Sequence, residues 1–261
     1  MIEESRYQIA LTTRTPFRIG GPDDPLSAAE NAVARVGGRL AIPGSALKGA
    51  LRAEIERFLI DSHYDRAAGR WPPEKAPLQP CIPTPRLSPD EQGLVSKGLY
   101  RENCRHQQAQ GGRRQEREQA APPLCPVCYF LGAMGLPGFV RVPFLFSQTA
   151  ATSFYSASID RAAQTVKHGT NRPYELVPDG AEFVGELVVI LADTVLGWRL
   201  GQRRPLGDRT RGDIWLPEQG LDPQECLRTY VLERLRAIKL LGGYKSKGCG
   251  EVDIQVRPVG S

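Results

Sequence analysis

Ile42-Pro43-Gly44-Ser45-Ala46-Leu47-Lys48-Gly49-Ala50-Leu51-Arg52 is the stretch on which the reading of the fold turns. Pro43-Gly44 breaks whatever precedes it and Ser45 is a natural N-cap. From there Leu47, Leu51, Ile55, Phe58 and Leu59 recur at the spacing of one helical face. The pattern predicts an amphipathic helix from Ser45 to about Ile60. Lys48 and Arg52 stack one turn apart on another face. The pair is either a solvated basic stripe or a phosphate site, the latter favoured by the free N–H groups and positive dipole end at Gly44-Ser45.

Working outward, residues 7–13 (YQIALTT) read as a first strand, closed by Pro16 and followed by the Gly/Pro/Asp-rich loop 20–25. Residues 63–123 are rich in proline and poor in aliphatic side chains, with the polar basic run 101–118. They read as an insertion and not as core, so the segment is either partly disordered or tied down by something other than apolar burial, a metal being the obvious candidate. Strand character returns at 139–146 (FVRVPFLF) and at 181–191 (AEFVGELVVIL), with a polar, basic excursion between them. Asp222-Pro223-Gln224-Glu225 has the form of a capping box and predicts a helix to about Leu241, after which a strand at 251–256 follows.

Strand, helix, strands, helix, strand is the order of an α+β sandwich with a ferredoxin-like, RNA-recognition-type core. The expected organisation is a core of residues 1–62 and 125–261 with an insertion at 63–124.

The chain of 261 residues is 41% hydrophobic, enough for a globular core, and its charge of +5 favours nucleic acid as a partner. No apolar run approaches the ~20 residues of a membrane span. Residues 1–6 are acidic and lack an apolar secretory segment, so the expected address is the cytoplasm, with no membrane partner. There the six cysteines should be reduced thiols or metal ligands.

Cys125-Pro126-Val127-Cys128 is a knuckle whose two thiolates can reach one tetrahedral zinc, and Cys104 lies upstream. His106, close to Cys104, is preferred over Cys81 as the fourth ligand. The alternatives are buried thiols or a redox pair. The ligands fall in the segment with too little apolar surface to fold alone, which favours a structural metal. Cys226 reads as a core thiol.

Residues 242–250 lie between a helix and a strand, the reverse of a nucleotide-binding loop, and suit either a turn or the tracking of a phosphodiester chain. No nucleophile–base arrangement is evident, and Asp23-Asp24 is most simply a solvated turn.

Four segments together resemble one family. Residues 42–52 resemble the signature helix of the RAMP (repeat-associated mysterious protein) superfamily of CRISPR effector subunits. Residues 125–132 (CPVCYFLG) are similar to a cysteine-containing segment of type III backbone subunits; 159–161 with 177–183 resemble their thumb, and 241–250 (LGGYKSKGCG) their glycine-rich loop. The resemblance implies a subunit that stacks in several copies along a guide crRNA and presents it to complementary target nucleic acid, most simply RNA, beside other effector subunits. A thumb hairpin at about 159–186 and a structural Zn2+ in the insertion belong to the same picture. Guide contacts would come from Ser45, Lys48, Arg52, Arg161, Lys167, His168, Arg172, Gly242, Gly243, Tyr244, Lys245 and Lys247.

In such subunits an aspartate between the first strand and the signature helix cuts target RNA. Counting back from the helix puts Glu30 or Asn31 near that place, with Asp23 and Asp24 upstream. The expectation is binding with weak or no cleavage. A Mg2+-dependent endoribonuclease of the same fold is the alternative, with Asp23, Asp24 and Glu30 as its candidate catalytic residues. A zinc-containing scaffold unrelated to CRISPR is the distant one.

Overall fold

The computed structural model describes residues 1–21, 32–104, 123–170, 172–206 and 212–260. Its strands are β1 (Ile2–Thr13), β2 (Arg35–Val36), β3 (Arg39–Ile42), β4 (Val140–Arg141), β5 (Leu145–Ser147), β6 (Thr152–Ser156), β7 (Ile159–Asp160), β8 (Thr165–Val166), β9 (Arg172–Leu176), β10 (Glu182–Asp193), β11 (Trp198–Arg199) and β12 (Val252–Pro258). The α-helices are α1 (Gly44–His63), α2 (Pro89–Ser96), α3 (Pro126–Leu131), α4 (Pro223–Leu227) and α5 (Glu233–Ala237). The fold is mixed α+β. An eight-stranded sheet runs β12-β1-β10-β5-β3-β2, with β4 and β11 also paired to β10.

The chain divides into two compact units, one of residues 1–6, 51–141 and 188–235, the other of residues 7–50, 142–187 and 236–261. In the second unit, alternation along β1 buries Tyr7, Ile9, Leu11 and Thr13. The antiparallel ladder sets Ile9 opposite Val256 and Leu11 opposite Ile254. Each such aliphatic side chain removed from water contributes about 1.5–3 kcal/mol. The buried Thr13 hydroxyl is satisfied twice, donating to Pro178 O at 2.8 Å and accepting from Ala181 N at 2.9 Å.

In the first unit the core is aromatic. Tyr230 stacks on Phe130 with ring centroids 5.2 Å apart and meets Trp215 edge-on at 5.5 Å. Beside it the fully buried Arg204 holds Asp213 through two bonds, Nε to Oδ2 at 2.9 Å and Nη2 to Oδ1 at 2.8 Å. The guanidinium also lies 4.8 Å from the centroid of the Tyr129 ring. A charge so deep is tolerated because it is both paired and faced by π-systems.

Three sequence expectations change in detail. The helix of residues 42–52 opens at Gly44, not after an N-cap at Ser45, and reaches His63. Gly44 is packed so tightly that a Cβ there would lie 2.6 Å from Val142 O. The single strand expected at 139–146 is two short ones, β4 and β5, because Pro143 has no N–H for a ladder. The last helix begins as expected, Asp222 accepting from Gln224 N and Glu225 N. It then widens into a π turn at Arg228–Leu232 and ends at Ala237, short of Leu241.

Candidate metal centre and nucleic-acid interface

Cys125 is the N-cap of α3, Pro126 stands at its first turn, and Cys128 follows one turn on, so both thiols are presented from one helix start. Cys81 arrives by a different route. It forms a parallel β-bridge with Arg101, and Ile82 N bonds to Arg101 O at 3.1 Å while Arg101 N bonds to Pro80 O at 3.0 Å. Three residues beyond Arg101, Cys104 Sγ accepts from Cys125 N at 3.4 Å.

The four sulfurs of Cys81, Cys104, Cys125 and Cys128 all lie within 4.8 Å of one another, and all four residues are buried. Cys81 Sγ and Cys128 Sγ are 3.4 Å apart. Four thiolates bound at ~2.3 Å around a tetrahedral zinc stand about 3.8 Å from each other, so the spacing fits one ion. These four close cysteines could hold a metal. Of the two candidates for the fourth position it is Cys81 whose sulfur joins the group; His106 lies outside the described residues.

The ionisation of the group is uneven. Burial opposes ionisation of Cys125, but hydrogen bonds from Cys104, Cys128 and Cys81 and the charge of Arg101 outweigh it and hold this thiol well below its ordinary pKa. Cys128 and Cys81 are pushed up, each foremost by its hydrogen bond with Cys104 and then by that with Cys125.

Two guanidinium groups reach this centre. Arg101 Nη2 stands 3.5 Å from Cys104 Sγ, and Arg52 Nη2 stands 3.9 Å from Cys128 Sγ. Burial works against the charge of both. For Arg52 the sulfurs of Cys128, Cys125 and Cys81, then Glu56, outweigh burial and raise its pKa; for Arg101 the sulfurs of Cys125, Cys104 and Cys81 do the same. Arg52 Nη1 also pairs with Glu56 Oε1 at 3.4 Å. The Glu56 carboxyl is itself pushed up to about 7, by burial first and against the pull of Arg52.

Arg52 therefore departs from the expectation that it faces solvent beside Lys48: its side chain is only 15% exposed. Ser45 and Lys48 are exposed on α1. The helical spacing was legible, but spacing cannot say which polar side chain an adjacent segment will cover. Arg101 was missed altogether, since it reads in sequence as one member of a basic run.

The remaining candidate residues lie in two features of the second unit. One is a long hairpin in which β6 pairs with β9, Phe154 opposite Tyr174, and β7 pairs with β8 at the tip, Ile159 opposite Val166. Its arms start at Thr152, earlier than the thumb region expected from about residue 159. Arg161, Lys167, His168 and Arg172 on it are all exposed. At the tip Asp160 accepts from Ala162 N at 2.9 Å and Ala163 N at 3.0 Å, and its carboxyl is held below the usual range by those bonds.

The other feature is the glycine-rich loop. At Gly242, with φ +87°, a Cβ would lie 2.3 Å from Arg18 O. The neighbouring Gly243 N bonds that same oxygen at 2.7 Å. Tyr244 adopts a left-handed φ of 60°. Its ring meets Tyr174 edge-on at 5.7 Å and carries Arg18 at 4.9 Å and Lys247 at 4.6 Å. Lys245 and Lys247 are exposed in a short 3-10 turn. Asp23, Asp24 and Glu30 lie outside the described residues.

A mixed α+β chain with a large antiparallel sheet and a four-cysteine cluster is the class these features define. The profile of the RAMP superfamily matches residues 10–253, and the chain belongs to that superfamily. Membership implies a CRISPR-associated RNA-binding module that works with CRISPR RNA and effector subunits. No curated protein matches the chain. Among the described residues no helix is long and apolar enough to cross a membrane.

Proposed function

We propose that this chain is a guide-binding backbone subunit of a type III-like CRISPR effector complex, several copies stacking along the crRNA and presenting it to complementary target RNA in the cytoplasm. The observation that carries the reading is the exposed basic hairpin of β6 to β9 on a chain that matches the superfamily over residues 10–253. The sheet path β12-β1-β10-β5, with α1 between β1 and β5 in sequence and the last helix between β10 and β12, supports a ferredoxin-like core. Guide phosphates are met by Ser45 and Lys48 on α1, by Gly242, Gly243, Tyr244, Lys245 and Lys247 of the loop, and by Arg161, Lys167, His168 and Arg172 of the hairpin. Arg52 is left out of this set because its guanidinium is occupied by Glu56 and Cys128.

Zn2+ held by Cys81, Cys104, Cys125 and Cys128 would serve structure, supplying folding free energy where apolar burial is scarce. Target cutting is not part of the proposal. Periodic products from target RNA and Mg2+, lost on replacing Asp23, Asp24 or Glu30, would add it.

The test is the nucleic acid that copurifies with the assembled complex. A discrete RNA of roughly 35–45 nucleotides with a common 5′ handle supports the reading, and its salt-sensitive retention follows from phosphate contact. Random cellular RNA would reduce it to generic basic binding.

A further inference from the structure

The four-cysteine cluster has two cations beside it, Arg52 and Arg101. Arg101 Nη2 lies 3.5 Å from Cys104 Sγ, while its Nε is buried and meets no acceptor. Among the described residues no carboxylate pairs with it. Its backbone N–H and C=O are both tied to the Cys81 stretch, by bonds to Pro80 O and from Ile82 N, so the side chain starts beside the sulfurs. Burying a cation in such a place is costly unless an anion faces it, and the anions available are sulfurs. Arg52, from α1, divides its guanidinium between Cys128 Sγ at 3.9 Å and Glu56 at 3.4 Å.

The converse need is equally clear. Four thiolates around one divalent ion carry a net double negative charge, and all four cysteines are buried. That charge must be offset locally, because water cannot do it there.

We infer that Arg52 and Arg101 are the counter-ions of the four-cysteine centre, offsetting its double negative charge and setting how firmly the metal is held. The inference rests on the cluster being a metal site. It places the two basic residues of α1 in opposite roles: Lys48 faces solvent and RNA, and Arg52, one turn later, faces the sulfurs. A group that donates to a ligating sulfur steadies the ligand and withdraws electron density from it, as outer partners of metal ligands do generally.

The test compares the full-length protein with Arg52→Gln, Arg101→Gln and Arg52→Lys, and with Arg57→Gln as control. Arg57 is an exposed arginine of the same helix, paired with Glu54. Metal content of the unsubstituted protein, purified without chelator, is measured first; absence of metal would overturn the metal reading itself, before either arginine is tested. Zinc affinity is then measured by competition with a chromogenic chelator. Each glutamine variant should hold zinc about 10- to 100-fold less tightly, Arg52→Lys should recover most of the loss, and Arg57→Gln should match the parent.

After loading with Co2+, the sulfur-to-metal absorption of the glutamine variants should move to longer wavelength, since sulfur electrons are less tightly held without the nearby cation. A merely structural role would leave that band in place. If Arg101→Gln does not fold, the Arg52 pair decides alone. Zinc affinity within twofold of the parent and an unmoved Co2+ band would overturn the proposal. So would an Arg52→Gln protein that holds zinc normally but shows a shallower salt dependence of RNA binding, which would return Arg52 to the phosphate contacts.

Discussion

In the hairpin of β6 to β9 every residue of β6 is exposed, whereas the four clustered cysteines are all buried. The hairpin is organised by its backbone. Five residue pairs in register join β6 to β9, so backbone pairing holds the two arms together while the β6 side chains stay exposed. The cysteine segment is the reverse: Cys81 is tied to its surroundings by one isolated bridge, and side-chain sulfur brings distant stretches of chain together. Ladder hydrogen bonds fail locally, one turn at a time. A centre shared by four sulfurs would fail all at once, because each would depend on the other three.

The largest effect should follow from breaking the centre. A structural zinc supplies about 10 kcal/mol or more to small domains. Even a third of that, at ~2–4 °C per kcal/mol for a chain of this size, lowers the melting temperature by roughly 10 °C. Cys128→Ser or treatment with a strong chelator should therefore produce a fall of that order in a thermal melt, together with loss of bound metal. A change under ~2 °C in metal-replete protein would mean that the segment stands without its sulfurs.

A second experiment sharpens the contrast on α1. Lys48→Ala should leave the melt unchanged while the slope of log affinity against log salt for single-stranded guide RNA flattens by about 0.7, the value of one phosphate contact. An unaltered slope would make Lys48 part of a solvated face.

At the hairpin tip the effect should be local. Asp160→Ala removes the acceptor of the Ala162 and Ala163 amides, so hydrogen exchange there should quicken severalfold with no change in the melt. The carboxyl is held below its ordinary pKa, so its contribution is present above that ordinary value and is lost as the pH falls through the folded one. Exchange protection that survives in the alanine variant would assign the turn to its backbone alone.

Deleting residues 164–170 should also leave stability almost untouched. The protein should remain soluble, melt within ~2 °C of the parent and still bind RNA, while regular filaments assemble poorly on a long guide. Insolubility would show that the tip is covered by core.

What the sequence disclosed follows the same division. Periodicity located α1, β1, β10 and β12, because alternation and helical spacing are written in consecutive residues. Asp222 was legible as a cap because capping is decided within one turn. The C-x2-C pair was legible because a single helix start presents both thiols. Cys81 was under-weighted because its place depends on a bridge to Arg101, a pairing that spacing does not encode. Arg52 looked solvent-facing for the same reason: what covers it comes from elsewhere in the chain. The break at Pro143 could have been read from the missing donor.

One feature of the last helix bears on how the chain tolerates change. The π turn at Arg228–Leu232 accommodates an extra residue within an otherwise regular spiral, turning Tyr230 toward the aromatic group while Val231 stays buried. Loss of a single residue ordinarily throws everything downstream in a helix out of phase. Here the surplus is already stored, and a deletion inside the widened turn would restore a regular α-helix with Leu235 still pointing inward. The helix has a reserve of length, and it keeps that reserve beside the ring that Phe130 and Trp215 enclose.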